Sequence, residues 1–166
     1  ETGTYKIPLM LPALDNILAQ TDKKILFAGI GNVLKSDDGV GVYISRRIKP
    51  MKNIISLTVE VSIENYIGKI NSLNPDIIVL IDCVDMNASP GTCRLLPVDE
   101  IQDFSFNTHN ISLKRISDFF PAEVFILGIQ PETIVFGEKI SYLVAKVAKK
   151  IIKQINNKKE EVHYGS

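Results

Sequence analysis

Asp38, Asp82 and His109 are three side chains of this 166-residue chain that together could hold a divalent cation. Two carboxylates and an imidazole supply oxygen and nitrogen donors, and a three-ligand set leaves positions open for water or a substrate carbonyl. A cation so placed activates water and polarises a carbonyl without any serine or cysteine nucleophile. Each residue taken singly has a plainer reading. An aspartate at a helix start stabilises the helix dipole by about 0.3–1 kcal/mol. Asp82 could end a strand and cap a turn with Asp85, and His109 could be a surface histidine, as His163 is expected to be. The metal reading rests on the set.

The elements that must position these side chains follow from the apolar patterning. Leu9–Ala19 predicts a short amphipathic helix that packs on the domain ahead of the first strand. Lys24–Gly29 reads as that strand, and the glycine-rich run through Gly41 leaves it and delivers Asp37 and Asp38 to a helix start. Junctions of this kind place backbone N–H groups and loop side chains in the crevice where ligands of α/β sheets bind. Ser36 or Asp37 is positioned to cap the helix, whose face is Val40, Tyr43, Ile44 and Ile48 and which Pro50 ends.

Ile54–Val61 alternates apolar and polar residues, predicting a half-exposed strand near a sheet edge. Ile63, Tyr66, Ile67, Ile70 and Leu73 keep helical spacing up to Asn74-Pro75, and Asp76–Ile81 is the unbroken run of a central strand with Asp82 at its exit. Thr92–Val98 reads as an antiparallel neighbour with Pro97 at an edge. Ile111–Phe120 predicts a helix, Glu123–Ile129 a central strand and Glu138–Ile155 a long amphipathic helix. This order predicts a three-layer α/β/α sandwich around a mixed, mostly parallel twisted sheet of about five strands. Residues 1–23 form an N-terminal extension with the short helix, 24–156 a single domain and 157–166 a polar tail.

Lys+Arg and Asp+Glu number 19 each, so no global field attracts nucleic acid or an anionic membrane. The lysines of the last helix and tail lack interleaved aromatic residues and are followed by Glu160 and Glu161, the pattern of a solvated face. No run approaches the ~18 apolar residues of a membrane span, and the first residues lack the order of a signal peptide. The chain reads as cytoplasmic, without nucleic-acid or membrane partners. Cys83 and Cys93 read as buried free thiols, too few for a disulfide scaffold. A dinucleotide fingerprint starting at Gly29 and Gly31 fails, because Leu34 stands where its third glycine would be.

Six motifs in order carry a specific resemblance: Gly29-Ile-Gly-Asn32, Asp37-Asp38-Gly39-x-Gly41, Ile81-Asp82-x-x-Asp85-Met86, Pro90-Gly91, Thr108-His109-Asn110 and Leu127-Gly-Ile-Gln-Pro131. Together they resemble the hydrogenase maturation endopeptidases over roughly Lys24 to Ile155, and most of all the branch serving formate-hydrogenlyase-type [NiFe] hydrogenases. The resemblance implies a phosphorylase/hydrolase-like fold and a peptidase that removes the C-terminal extension of a large-subunit precursor once nickel is in place. The nickel then belongs to the substrate, with cadmium or zinc able to substitute in crystals. Carried over by position, Asp38, Asp82 and His109 engage the metal and do the catalysis. Asp37 caps the helix, Gly31, Asn32, Gly39 and Gly41 shape the loop, and Thr108 and Asn110 orient the histidine. The family's usual Asp-Gly-Gly loop after the second strand is absent, the region reading Thr58-Val-Glu-Val-Ser-Ile-Glu-Asn65. That absence motivates a rival reading, a non-catalytic checkpoint protein that binds the nickel site.

Overall fold

Five strands form one sheet in the computed structural model, which describes residues 11–100 and 113–157. They are β1 (Ile25–Ile30), β2 (Ile54–Glu60), β3 (Ile77–Cys83), β4 (Cys93–Pro97) and β5 (Glu123–Ile129), in the order β2-β1-β3-β5-β4. β1 is parallel to β2 and β3, β3 is parallel to β5, and β4 runs antiparallel to β5 at the edge. Every residue of β1 and β3 is buried, as expected of continuous apolar strands covered on both faces.

Among the described residues five helices supply the cover: α1 (Pro12–Leu18), α2 (Val40–Ser45), α3 (Ile67–Ser72), α4 (Leu113–Ser117) and α5 (Tyr142–Asn156). The two-residue period of the strands sorts their side chains into two cores. Ile25, Phe27, Val79 and Ile81 meet α1, α2 and α5, whereas Leu26, Ala28, Ile78 and Leu80 meet α3 and α4. The predicted three-layer sandwich and its mixed sheet are therefore the observed ones. α1 is tied in by Gln154, whose side-chain amide donates to the Leu11 carbonyl at 2.9 Å and to Asp15 at 2.8 Å.

The helices are shorter than their periodicity predicts, and two of them show why. The helix expected to reach Pro50 ends at Ser45, where Arg47 N–H closes a tighter turn on the Ile44 carbonyl at 2.9 Å. The Ser45 hydroxyl bonds that of Thr58 at 2.8 Å, and Ser56 donates to the Ser45 carbonyl at 2.5 Å. The polar side of β2 is thus matched to α2. The helix expected from Glu138 begins at Tyr142, because the Ser141 N–H is engaged by a carboxylate elsewhere in the chain.

Gly41 sets how deeply α2 seats against the sheet. A methyl group there would run into the carbonyl oxygens of Ile30 and Ile81, so the helix lies with bare backbone against β1 and β3. Gly41→Ala is expected to lower stability in chemical unfolding by about 1–3 kcal/mol, the usual cost of overpacking. Gly68→Ala is the control: nothing lies within 4 Å of the added carbon, and it should be neutral or mildly stabilising.

Candidate active site

β1 continues to β2 on one side, while β3 lies on its other side, so the carboxyl ends of β1 and β3 flank a topological switch point. Ligands of open α/β sheets bind in the crevice at such a point. Asp38 and Asp82 both come to it. The chain leaves β1 through Gly31, whose φ of 136° is open to glycine and where a side chain would strike the Asp38 carbonyl oxygen. Asn32 then accepts from the Leu34 N–H at 2.9 Å, closing a short turn before the 3-10 turn Ser36–Gly39.

Asp38, in that 3-10 turn, is 1% exposed. Its Oδ2 accepts from the Asn32 N–H at 2.9 Å, whereas Oδ1 is buried without a hydrogen-bond partner among the described residues. Asp82, the penultimate residue of β3, is fully buried, and its Oδ1 accepts from the Cys83 N–H at 2.8 Å. Burial first, and the negative charge of Asp38 second, hold the Asp82 carboxyl well above the ordinary carboxylate range, against the opposing pull of the Cys83 N–H. The strand alternation puts Asp82 on the α3/α4 face, in register with Gly128 of β5.

Asp37 does not cap the helix that follows, and neither does Ser36: no side-chain cap bond is made to the 3-10 turn or to α2. Both point instead to the segment between β5 and α5. Asp37 accepts from the N–H groups of Glu132 at 2.9 Å, Thr133 at 3.1 Å and Ser141 at 2.7 Å, and from the Ser141 hydroxyl at 2.8 Å. The Ser36 hydroxyl donates to the Val135 carbonyl at 2.7 Å and accepts from the Val135 N–H at 3.0 Å. A buried carboxylate needs such complete pairing, and here one segment supplies all four donors. The helix-cap reading of Asp37 is corrected to that of a long-range clamp.

Asp85 organises the loop after β3. It is exposed and accepts from the Asn87 N–H at 3.0 Å and from the Gln130 side-chain amide at 3.2 Å, which hold its carboxyl below the ordinary range. Gln130, buried, also accepts from the Met86 N–H at 2.6 Å. Gln130 and Ser141 are structural members of the site that sequence reasoning missed. Gln130 lies in the Leu127–Pro131 motif, which implies no role for it, and Ser141 carries no sequence signal. Thr108, His109 and Asn110 lie outside the described residues. Among the described residues no three His, Cys, Asp or Glu side chains form a group that could hold a metal ion.

Both cysteines are free and both stand in register with Ile129, from opposite sides. Two strand spacings, roughly 9–10 Å, separate them, well beyond disulfide reach. Burial, and then the charge of Asp82, push the Cys83 thiol far up, and burial pushes Cys93 up to about 11. Neither is an activated nucleophile.

Fold and site define an α/β protein with two buried acids at the carboxyl ends of adjacent parallel strands. The chain belongs to the hydrogenase maturation protease family, peptide hydrolases whose HycI profile matches residues 40–158, opening just after the acid pair. A Methanocaldococcus jannaschii protein that bears the designation of hydrogenase maturation protease is 33% identical over 128 residues, covering 69% of this chain and 76% of that protein. The crystal structure of the [NiFe] hydrogenase maturation protease HycI from Thermococcus kodakarensis shares the fold, with a TM-score of 0.77 at 22% identity over 87% of this chain and 97% of that one. The solution structure of the endopeptidase HycI from Escherichia coli matches with a TM-score of 0.70 at 26% identity, over 80% of this chain and 89% of that one.

Two outcomes follow from the electrostatics. Asp82 holds its proton more tightly in the fold than in the unfolded chain, so stability falls as pH rises from 3.8, where the unfolded chain begins to release that proton, toward the raised folded value. Asp82→Asn should therefore raise the melting temperature at pH 7, with the gain closing as pH falls below 3.8. Asp37→Ala leaves the clamp donors without an acceptor, at about 1–3 kcal/mol for a buried unsatisfied group. Hydrogen exchange should then speed up at the amides of Glu132, Thr133 and Ser141, while Asp38→Ala leaves all three protected.

Proposed function

We propose that this chain removes the C-terminal extension of the nickel-loaded precursor of a [NiFe] hydrogenase large subunit. In this reading Asp38, Asp82 and His109 engage the nickel that the substrate brings, and the precursor is of the formate-hydrogenlyase type. The observation that carries it is the acid pair: one buried carboxylate oxygen without a hydrogen-bond partner among the described residues, beside a second carboxyl whose proton affinity is raised by burial and by its neighbour. Two acids forced together out of water favour the arrival of a cation, which removes both the repulsion and the desolvation penalty. Membership of a peptide-hydrolase family supplies the reaction type.

Nickel in contact with the scissile carbonyl polarises it and lowers the pKa of water from 15.7 toward about 7. The protein's carboxylates fix the peptide beside the ion and receive the proton of the attacking water. Oxygen adds to the carbonyl carbon, the carbon–nitrogen bond breaks, and the leaving amine takes up the proton. His109 must be neutral to bind metal, so engagement weakens in acid. Action on a precursor in the cytoplasm fits a chain in which no described helix is long and apolar enough to cross a membrane.

Mass spectrometry of the precursor before and after incubation tests this reading. The unaltered protein should release a C-terminal peptide from nickel-loaded precursor and none from the metal-free form. Asp38→Asn, Asp82→Asn and His109→Ala should each abolish the release while the protein stays folded. Normal processing by all three variants would overturn the site assignment. Binding without any loss of mass would favour the checkpoint protein suggested by the glycine-free loop after β2, where Glu60 makes the turn with φ 64°.

A further inference from the structure

Large apolar side chains stand exposed beside the acid loop. Phe136 is 88% exposed, Tyr142 76% and Val135 61%, with Leu34 and Ile134 also open to solvent. Singly exposed apolar residues are ordinary, but a contiguous group marks an interaction surface. These are held together by backbone. The Gly137 N–H donates to the Leu34 carbonyl at 2.8 Å, the Ser36 N–H to the Gly137 carbonyl at 2.6 Å, and Ser36 brackets Val135 through its hydroxyl. Tyr142 follows Ser141, which Asp37 grips. A buried carboxylate and a buried serine thus fix the segment in a conformation that leaves Phe136 facing water. Phe119, 61% exposed, lies instead just before β5 begins, at the opposite end of the sheet.

We propose that this clamped ledge is the docking surface for the precursor. An apolar face of the large subunit, beside its metal-bearing segment, seats on Leu34, Val135 and Phe136 as the crevice receives the metal. The inference rests on the proposed function and adds the surface that positions the substrate. This occupant is selected on three grounds. Leu34 belongs to the same loop as Asp38, so a protein whose metal reaches Asp38 meets the ledge on the way in. A second copy seated there would cover that loop and obstruct the crevice. The chain carries a net charge of zero, so recognition depends on local contact, and the apolar centre is rimmed by exposed Lys35, Glu132, Glu138 and Lys139 as protein interfaces are.

Phe136→Ser and Val135→Ser test the proposal in the full chain. Both positions are exposed, so circular dichroism and melting should match the unaltered protein. Binding to immobilised nickel-loaded precursor should weaken about tenfold or more in each, as for an anchoring side chain at an interface centre, and the precursor concentration giving half-maximal cleavage should rise with it. Unchanged affinity in both variants would overturn the proposal, as would failure of the unaltered protein to bind the precursor. Sedimentation showing a dimer that Phe136→Ser dissolves, with precursor affinity unchanged, would assign the ledge to self-association and overturn it too. An unaltered protein that binds but never cleaves would contradict the proposed function, and the ledge would still be decided by the affinities.

Discussion

The carboxylate of Asp37 is the interaction on which the site depends. It is fully buried, and a charge in that position is tolerable only with its lone pairs engaged. All four of its donors come from residues 132–141, which leave β5, whereas Asp37 itself leaves β1. β3 runs between those two strands, and Asp82 is near its carboxyl end. The clamp therefore joins the exits on either side of Asp82. It also explains why α5 starts only at Tyr142, since Ser141 is committed to Asp37.

Neighbouring acids in one turn have been given opposite environments. Asp37 is saturated by hydrogen bonds, while Asp38 keeps one oxygen buried and without a hydrogen-bond partner among the described residues, with its charge acting on Asp82. Packing against Gly41 and Gly31 leaves little freedom for the turn to relax this repulsion. The clamp holds in place the turn that carries Asp38. The ledge and the acid pair are consequently two products of one constraint, because the same bonds that fix the turn fix Phe136.

The central strands were legible because each is a short apolar run bounded by turn residues, and the unbroken run of β3 implied cover on both faces. Asp38 and Asp82 were legible as a pair because one follows β1 and the other lies at the carboxyl end of β3, strands that an α/β topology makes adjacent. The role of Asp37 was not. Local logic assigns an aspartate at a helix start to the helix, and its real partners lie 95 to 104 positions away. Helix lengths were overstated for a related reason, since periodicity cannot register a 3-10 turn or a segment held by long-range bonds. The loop after β2 turns without glycine because Glu60 adopts the left-handed conformation itself, which no glycine signal could reveal.

Nickel K-edge X-ray absorption of the precursor, alone and in a stoichiometric complex trapped by rapid freezing, addresses the central claim most directly. Engagement of the substrate's nickel by Asp38 and Asp82 predicts that oxygen or nitrogen scatterers join the metal's coordination when the unaltered protein is present, and that they are missing with Asp38→Asn. A nickel spectrum identical in the free and bound precursor would contradict the account.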